Sequence, residues 1–456
     1  MKKPSLSVKL GAACLSVAAF TAYSVGVAAP ADATASPYTV HRIKVDPDAV
    51  HVSNNLDAAT FSCQPSPIDG SQGPKCYSPA EMQKAYGADG FIARGDDGTG
   101  RTIVIVDAYV NPYIASDLKL FDALFDLPDP VLDNYVMPGT PAFDPADTNQ
   151  VGWGGETTLD VEWAHAMAPG AKIELVSAAS NEDADILSAT QYAVDHDLGD
   201  VLSQSFGENE NCVDPDLLKA EHAMFQKATR QGWTIFASSG DSGAAQFTCD
   251  GTGAVKVASS PATDPLVTGV GGTTLDAGTD GTYAGETAWD EFMFGCNPPA
   301  VSAHDVQCSG GGVSDIYKRP SWQASMVKTS GRGEPDVAYN AGINGGVLGV
   351  CSVCNGGVPA VFLFGGTSAG SPQWAALAAI TDQIAGHRVG EINPSLYKLA
   401  QVKKRYGATL HDVTIGGNHI EEIGGAGYDA GKGWDPVTGL GSPNAANLLP
   451  ALAHLS

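Results

Sequence analysis

The chain has 456 residues, 43% of them hydrophobic, enough to bury a sizeable core in one large α/β domain or in two or three small ones. A formal net charge of −26 excludes phosphate polyanions as natural partners, because binding them requires Lys and Arg to neutralise the backbone, so no nucleic-acid ligand is expected. In an acidic medium the carboxylates take up protons and self-repulsion falls, which fits work in acid.

Lys2, Lys3 and Lys9 precede an apolar stretch from Leu10 to about Val27, and Ala33-Thr34-Ala35 follows. That order predicts an export signal over residues 1–35, cleaved after Ala35. A membrane anchor is the alternative reading, but the stretch contains Ser, Thr and Gly and has no basic stop-transfer flank. The expected product is secreted, extracellular and free of the membrane once the signal is removed. Residues 36–75 are rich in Pro, Ser, Asp and Asn and show no sustained period, so they read as a short pro-segment or N-terminal arm without a core of its own.

Residues 76–456 read as one domain. Thr102-Ile-Val-Ile-Val-Asp107 is a continuous apolar run of strand length, suited to a strand covered on both faces. Ile173–Val176, Val201–Leu202 and Trp233–Ala237 repeat the pattern. Helix-length stretches lie between and beyond them: Thr157–Met167, Asp183–Asp195, Asp216–Gln231 and, directly after Gly365-Gly366, Ser368–Ala385. Alternating strands and helices predict an α/β fold, a mostly parallel sheet with helices on both faces.

Cys14 lies in the export signal, which leaves eight of the nine cysteines in the exported chain, an even number that predicts disulfides. Spacing alone leaves connectivity open. The near-neighbour scheme pairs Cys63 with Cys76, Cys212 with Cys249, Cys296 with Cys308 and Cys351 with Cys354. The last pair is also a CxxC, but no second CxxC and no HxxxH accompanies it, which disfavours zinc.

Three local patterns carry chemistry. Phe364-Gly-Gly-Thr-Ser-Ala-Gly-Ser-Pro372 is a glycine turn that delivers Ser368 to the first turn of an apolar helix, beside its positive dipole end. A hydroxyl nucleophile needs a base, yet none of His165, His196 and His222 sits in a glycine-flanked setting. In Gly154-Gly-Glu-Thr-Thr-Leu-Asp160, by contrast, Glu156 and Asp160 are four residues apart and share a helix face, so their carboxyls can share a proton. The third pattern, Ala237-Ser-Ser-Gly-Asp-Ser-Gly243, runs a strand into a tight turn at Asp241. Held neutral, that carboxyl could donate to an oxyanion.

These motifs resemble those of the sedolisins, serine-carboxyl peptidases with a subtilisin-like fold. GGETTLD is similar to the family's Glu-x-x-x-Asp helix, SSGDSG to its oxyanion turn and GGTSAGSP to its nucleophile turn. The likeness continues through Ser259–Pro265, Val270–Thr273, Gly310–Ser314, Pro320–Gln323 and Glu334–Val337. The resemblance implies Ser368 as nucleophile, Glu156 as base, Asp160 as its support and Asp241 as oxyanion donor, in an acid-acting, monomeric peptidase whose partners are peptides or proteins. It also implies one structural Ca2+ on the side chains of Asp412 and Asp435 and the backbone oxygens of Val413, Gly431 and Gly433. Glycine-rich loops can turn the six to eight oxygens that calcium takes inward.

Two departures from the family stand out. Only about forty residues separate the export signal from the catalytic pattern, where family precursors carry a large activation domain, and Phe206 stands where the family shows Trp. Asp107, at the strand end where subtilisins keep their acid, reads as an ordinary strand-end residue, with a place in the carboxyl network as the alternative. The competing readings are a subtilase using Asp107, an unidentified His and Ser368, and a secreted binding scaffold without activity.

Overall fold

The computed structural model describes residues 42, 43, 45, 49–291 and 307–455, so the expected export signal and Cys296 lie outside the described residues. Its centre is an eight-stranded sheet built from Thr102–Ala108 (β1), Val131–Val136 (β2), Lys172–Ala178 (β3), Val201–Gln204 (β4), Thr234–Ser238 (β5), Thr268–Ala277 (β6), Tyr283–Ala288 (β7) and Val337–Asn340 (β8). The spatial order is β7-β6-β5-β4-β1-β3-β2, and β8 also pairs with β6. Every pairing is parallel except that of β6 with β7.

Side-chain alternation along β1 explains why helices are needed on both sides. Ile103 and Ile105 enter one apolar core with Trp163 and Trp374, which come from the helices Thr148–Met167 and Gly370–Ala385. Val104 and Val106 point the other way, into a second core with Ile186, Ala189, Phe225 and Ala228 of the helices Asp183–Asp195 and Pro215–Arg230. A strand buried on both faces must be apolar at every position, which is why the run in the sequence is unbroken. In chain order the helices are Ile114–Phe125 (α1), Thr148–Met167 (α2), Asp183–Asp195 (α3), Pro215–Arg230 (α4) and Gly370–Ala385 (α5). Among the described residues no helix is long and apolar enough to cross a membrane.

Three local expectations are corrected. The stretch before residue 76 does contribute to the core: Ile43, Phe61 and Cys63 are buried, and Ala49–Ser53 pairs antiparallel with Val361–Phe364. The Cys63–Cys76 disulfide holds this stretch to the body of the fold. The helix of the carboxyl pair starts at Thr148, nine residues before the expected Thr157, because the Asp147 side chain caps it by accepting the Asn149 and Gln150 N–H groups. Ser368 sits not in the α-helix but in a single 3-10 turn, Thr367–Ala369, ahead of α5. Bridges Cys212–Cys249 and Cys351–Cys354 form as the near-neighbour scheme expects, and Cys308 is disulfide-bonded.

Candidate active site

From Trp153 to Met167 every residue of α2 is buried, including Glu156, Thr157, Asp160, Glu162 and His165. A helix buried all round is ordinarily apolar all round. Acids at its centre conflict with that rule, and such conflicts concentrate where a protein does chemistry. Glu156 is 1% exposed and Asp160 fully buried, one turn apart on one face. Burial first, then the charges of Asp107 and Glu156, hold the Asp160 carboxyl well above the usual carboxylate range. Asp107, near the end of β1, is also fully buried, and burial raises its carboxyl too. The structure thus brings Asp107 to the carboxyl pair, the reading that came second from sequence.

Ser205 follows β4 directly and joins this pair to Ser368. Its Oγ lies 2.7 Å from Asp160 Oδ1 and 3.2 Å from the Ser368 carbonyl oxygen, and its own carbonyl accepts the Ser368 hydroxyl at 3.4 Å. The sheet sets this meeting: β4 lies between β1, which carries Asp107 near its end, and β5, which runs on to Asp241. Deeper in, Ser203 and Ser371 share a hydrogen bond of 2.8 Å that fixes α5 to β4.

The third piece is Asp241, just past β5. Its Oδ1 accepts the Thr367 N–H at 2.8 Å and the Thr367 hydroxyl at 2.6 Å, and Thr367 Oγ1 in turn accepts the Gly240 N–H at 3.1 Å. Burial raises the Asp241 carboxyl, while the two Thr367 bonds work against that shift. Gly366 makes the approach possible. Its φ is +90°, and a Cβ there would stand 2.7 Å from Asp241 Oδ2.

The histidines weighed as bases are engaged elsewhere. His165 Nε2 lies 3.1 Å from the Pro128 carbonyl and 3.2 Å from Asp122, His196 bonds the Tyr192 carbonyl, and His222 Nδ1 lies 2.6 Å from Asp264. Phe206 packs in the core with its ring 6.0 Å from that of Trp153. The arrangement can therefore supply a hydroxyl on a glycine turn, two buried carboxyls one helix turn apart and a third carboxyl beside the glycine turn. Sequence reasoning missed Ser205 and Thr367. Thr367 borders Ser368 and was legible as a neighbour, whereas nothing local marked Ser205.

The two C-terminal loops also meet. Asp412 Oδ1 accepts from Tyr406 Oη and from the Gly433 N–H, both at 3.0 Å. Asp435 accepts the N–H groups of Gly431, Val437 and Thr438, and the Thr438 hydroxyl reaches the Val413 carbonyl at 3.5 Å. Burial pushes the Asp435 carboxyl up to about 6. Among the described residues neither carboxylate has an ion pair with Lys or Arg.

The model of the subtilase family matches residues 147–427, more than half of the chain and a span that includes Glu156, Asp160, Asp241 and Ser368. Kumamolisin of Bacillus sp. (strain MN-32) is 36% identical over 393 residues, 84% of this chain and 64% of that protein. Sedolisin of Pseudomonas sp. (strain 101) is 33% identical over 302 residues, 64% of this chain and 48% of that protein. The chain therefore spans less than two thirds of the length of these relatives. A solved structure of Pseudomonas sedolisin, a serine-carboxyl proteinase complexed with two molecules of pseudo-iodotyrostatin, superposes with a TM-score of 0.71 at 27% identity, over 84% of this chain and 99% of that one. With its subtilisin-like sheet and its Glu, Asp and Ser motifs on that span, the chain belongs to the subtilase family, in the sedolisin group.

Proposed function

We propose that this chain is a secreted, acid-acting, monomeric serine-carboxyl peptidase whose peptidase domain spans 76–456. The observation that carries the reading is the buried α2 acid pair, tied through Ser205 to the residue on the glycine turn. Ser368 Oγ attacks the scissile carbonyl, and Glu156 takes the hydroxyl proton while Asp160 holds Glu156 in place. The carbonyl oxygen becomes an oxyanion that accepts from protonated Asp241 and a backbone N–H near Ser368. Glu156 returns its proton to the departing amine, leaving an acyl-enzyme, and water then repeats the sequence to release the acid. Asp241 must be neutral and Glu156 able to accept a proton, so activity belongs on the acid side, where burial of Asp241 keeps its proton in place.

One structural calcium ion would be held in the C-terminal loops by the side chains of Asp412 and Asp435 and the backbone oxygens of Val413, Gly431 and Gly433. All donors are hard oxygens, and two carboxylates without a basic partner suit a divalent cation. Bound there, it would cross-link the loops. Incubation of the purified chain with a peptide library in acid, read by mass spectrometry, tests the activity. New peptide termini that vanish in Ser368→Ala support it, and an intact library, as from a silent scaffold, refutes it.

A further inference from the structure

The Ser205 hydroxyl stands between two acceptors, Asp160 Oδ1 at 2.7 Å and the Ser368 carbonyl oxygen at 3.2 Å, but it owns a single proton. Ser205 is 1% exposed, Asp160 fully buried and Ser368 8% exposed, which leaves little room for water to mediate. With Asp160 ionised, the proton goes to the carboxylate, the closer and charge-assisted acceptor, and the Ser368 carbonyl loses its donor. With a proton on Asp160 Oδ1 the chain reverses: the carboxyl donates to Ser205 Oγ, and the Ser205 O–H turns to the Ser368 carbonyl. Both contacts are then satisfied at once.

We infer that Ser205 is a positioning residue which couples the protonation of Asp160 to the backbone of Ser368. Deepening the catalytic reading above, it gives the nucleophile turn a donor only while Asp160 is neutral. The titratable groups that face Asp160 are Asp107 from β1 and Glu156 from its own helix, both acidic. From the segment that follows β4 the Ser205 hydroxyl reaches it. Two acids alongside oppose a third charge, so the neutral state of Asp160 extends toward neutral pH, and the Asp160–Ser205–Ser368 chain persists with it. Ser205 also holds Ser368 from its other end, since its carbonyl accepts the nucleophile hydroxyl. A residue that binds both the hydroxyl and the carbonyl of the nucleophile fixes its direction as well as its place.

Two measurements test this on the full chain. In the first, the protein carries 13C-carbonyl serine and 15N-alanine, and the Ser368–Ala369 peptide signal, assigned by its loss in Ser368→Ala, is followed against pH. The wild-type signal is expected to titrate, and that of Ser205→Ala to stay flat over the same range. A wild-type signal that does not move, or one that titrates equally in Ser205→Ala, overturns the inference. This readout does not depend on turnover, so a chain that hydrolyses nothing sinks the catalytic reading and leaves the coupling to stand or fall alone. In the second, peptide hydrolysis by Ser205→Ala is expected to lose about tenfold in kcat with little change in KM and a displaced fall toward neutral pH. Ser205→Thr, which keeps the hydroxyl, is expected to recover most of that loss. Equal kcat and pH profiles in wild type and Ser205→Ala overturn the positioning role.

Discussion

Replacing Glu334 by Gln should make the fold more stable near neutral pH and nearly unchanged in acid. Glu334 ends the strand Gly331–Glu334, opposite Gly312, and is fully buried. Burial pushes its carboxyl up to about 8, with the Arg332 guanidinium opposing the shift while itself paired with Asp336. An unfolded glutamate titrates near ~4.3, so between that value and about 8 the native chain holds a proton that the unfolded chain has released. Where the native state binds more protons, stability falls as pH rises. The contribution is therefore complete below the unfolded value and is lost as pH climbs through the folded one. Each pH step costs about 1.4 kcal/mol, so from about pH 4.5 to about 7.5 this group removes roughly 4 kcal/mol at most. A glutamine has the shape of the protonated acid and cannot ionise. Denaturant unfolding of both proteins at the two pH values is the assay. The variant is expected within about 1 kcal/mol of wild type in acid and roughly 2–4 kcal/mol above it at neutral pH. Curves that run parallel against pH would refute the reasoning.

Ser368→Ala and Glu156→Ala should each lower kcat by at least about a thousandfold while circular dichroism and the unfolding midpoint stay close to wild type, and near-normal turnover in either refutes its role. Asp241→Asn keeps a donor that no longer depends on pH. Because burial raises the Asp241 carboxyl and deprotonation removes its donor, wild-type activity falls as pH rises, and that fall should move or vanish in the variant. A pH profile of kcat superposing on wild type speaks against an oxyanion role. Chelation and Asp435→Ala should each lower the thermal midpoint, since an ion at about 100 times its Kd adds about 2.7 kcal/mol. Equal midpoints with calcium, with chelator and in the variant, together with no calcium by elemental analysis, remove the site.

Where one residue's chemistry dictates the outcome, the sequence was readable. β1 could be read from its apolar run because both faces are covered, and α3 begins at Asp183 and ends at Asp195 as its pattern predicts. Glu156 and Asp160 were legible because their spacing fixes them on one helix face. The start of α2 was not: Gly152, Gly154 and Gly155 each weaken a helix by about 1 kcal/mol, and only packing, such as Val353 against Gly154, offsets that. Ser205 was illegible for a different reason. A serine after a short strand acquires meaning only when β4 is set between β1 and β5, a tertiary fact that no local pattern encodes. The stretch before residue 76 misled because a strand of five residues and two anchors, Phe61 and Cys63, leave no period to detect.

The buried acids of α1 and α2 bear on the fold as well as on the proposed chemistry. Glu162, on another face of the helix, accepts the Val350 N–H at 2.9 Å, and burial, then the charges of Asp117 and Asp122, hold its carboxyl well above the usual range. Asp117 accepts the N–H and hydroxyl of Ser352 and is raised by burial as well. Among the described residues neither Glu162 nor Asp117 has an ion pair with Lys or Arg, so ionising either would cost several kcal/mol. Protonated, they can donate as well as accept, and they join α1, α2 and the strand Gly346–Val350 into one packed layer. The same burial that raises Asp160 and Glu162 on α2 raises Asp117 on α1, because both helices carry acids into the packed interior. Buried acids of this kind favour the folded state in acid, and the burial that raises Asp160 acts in the same direction.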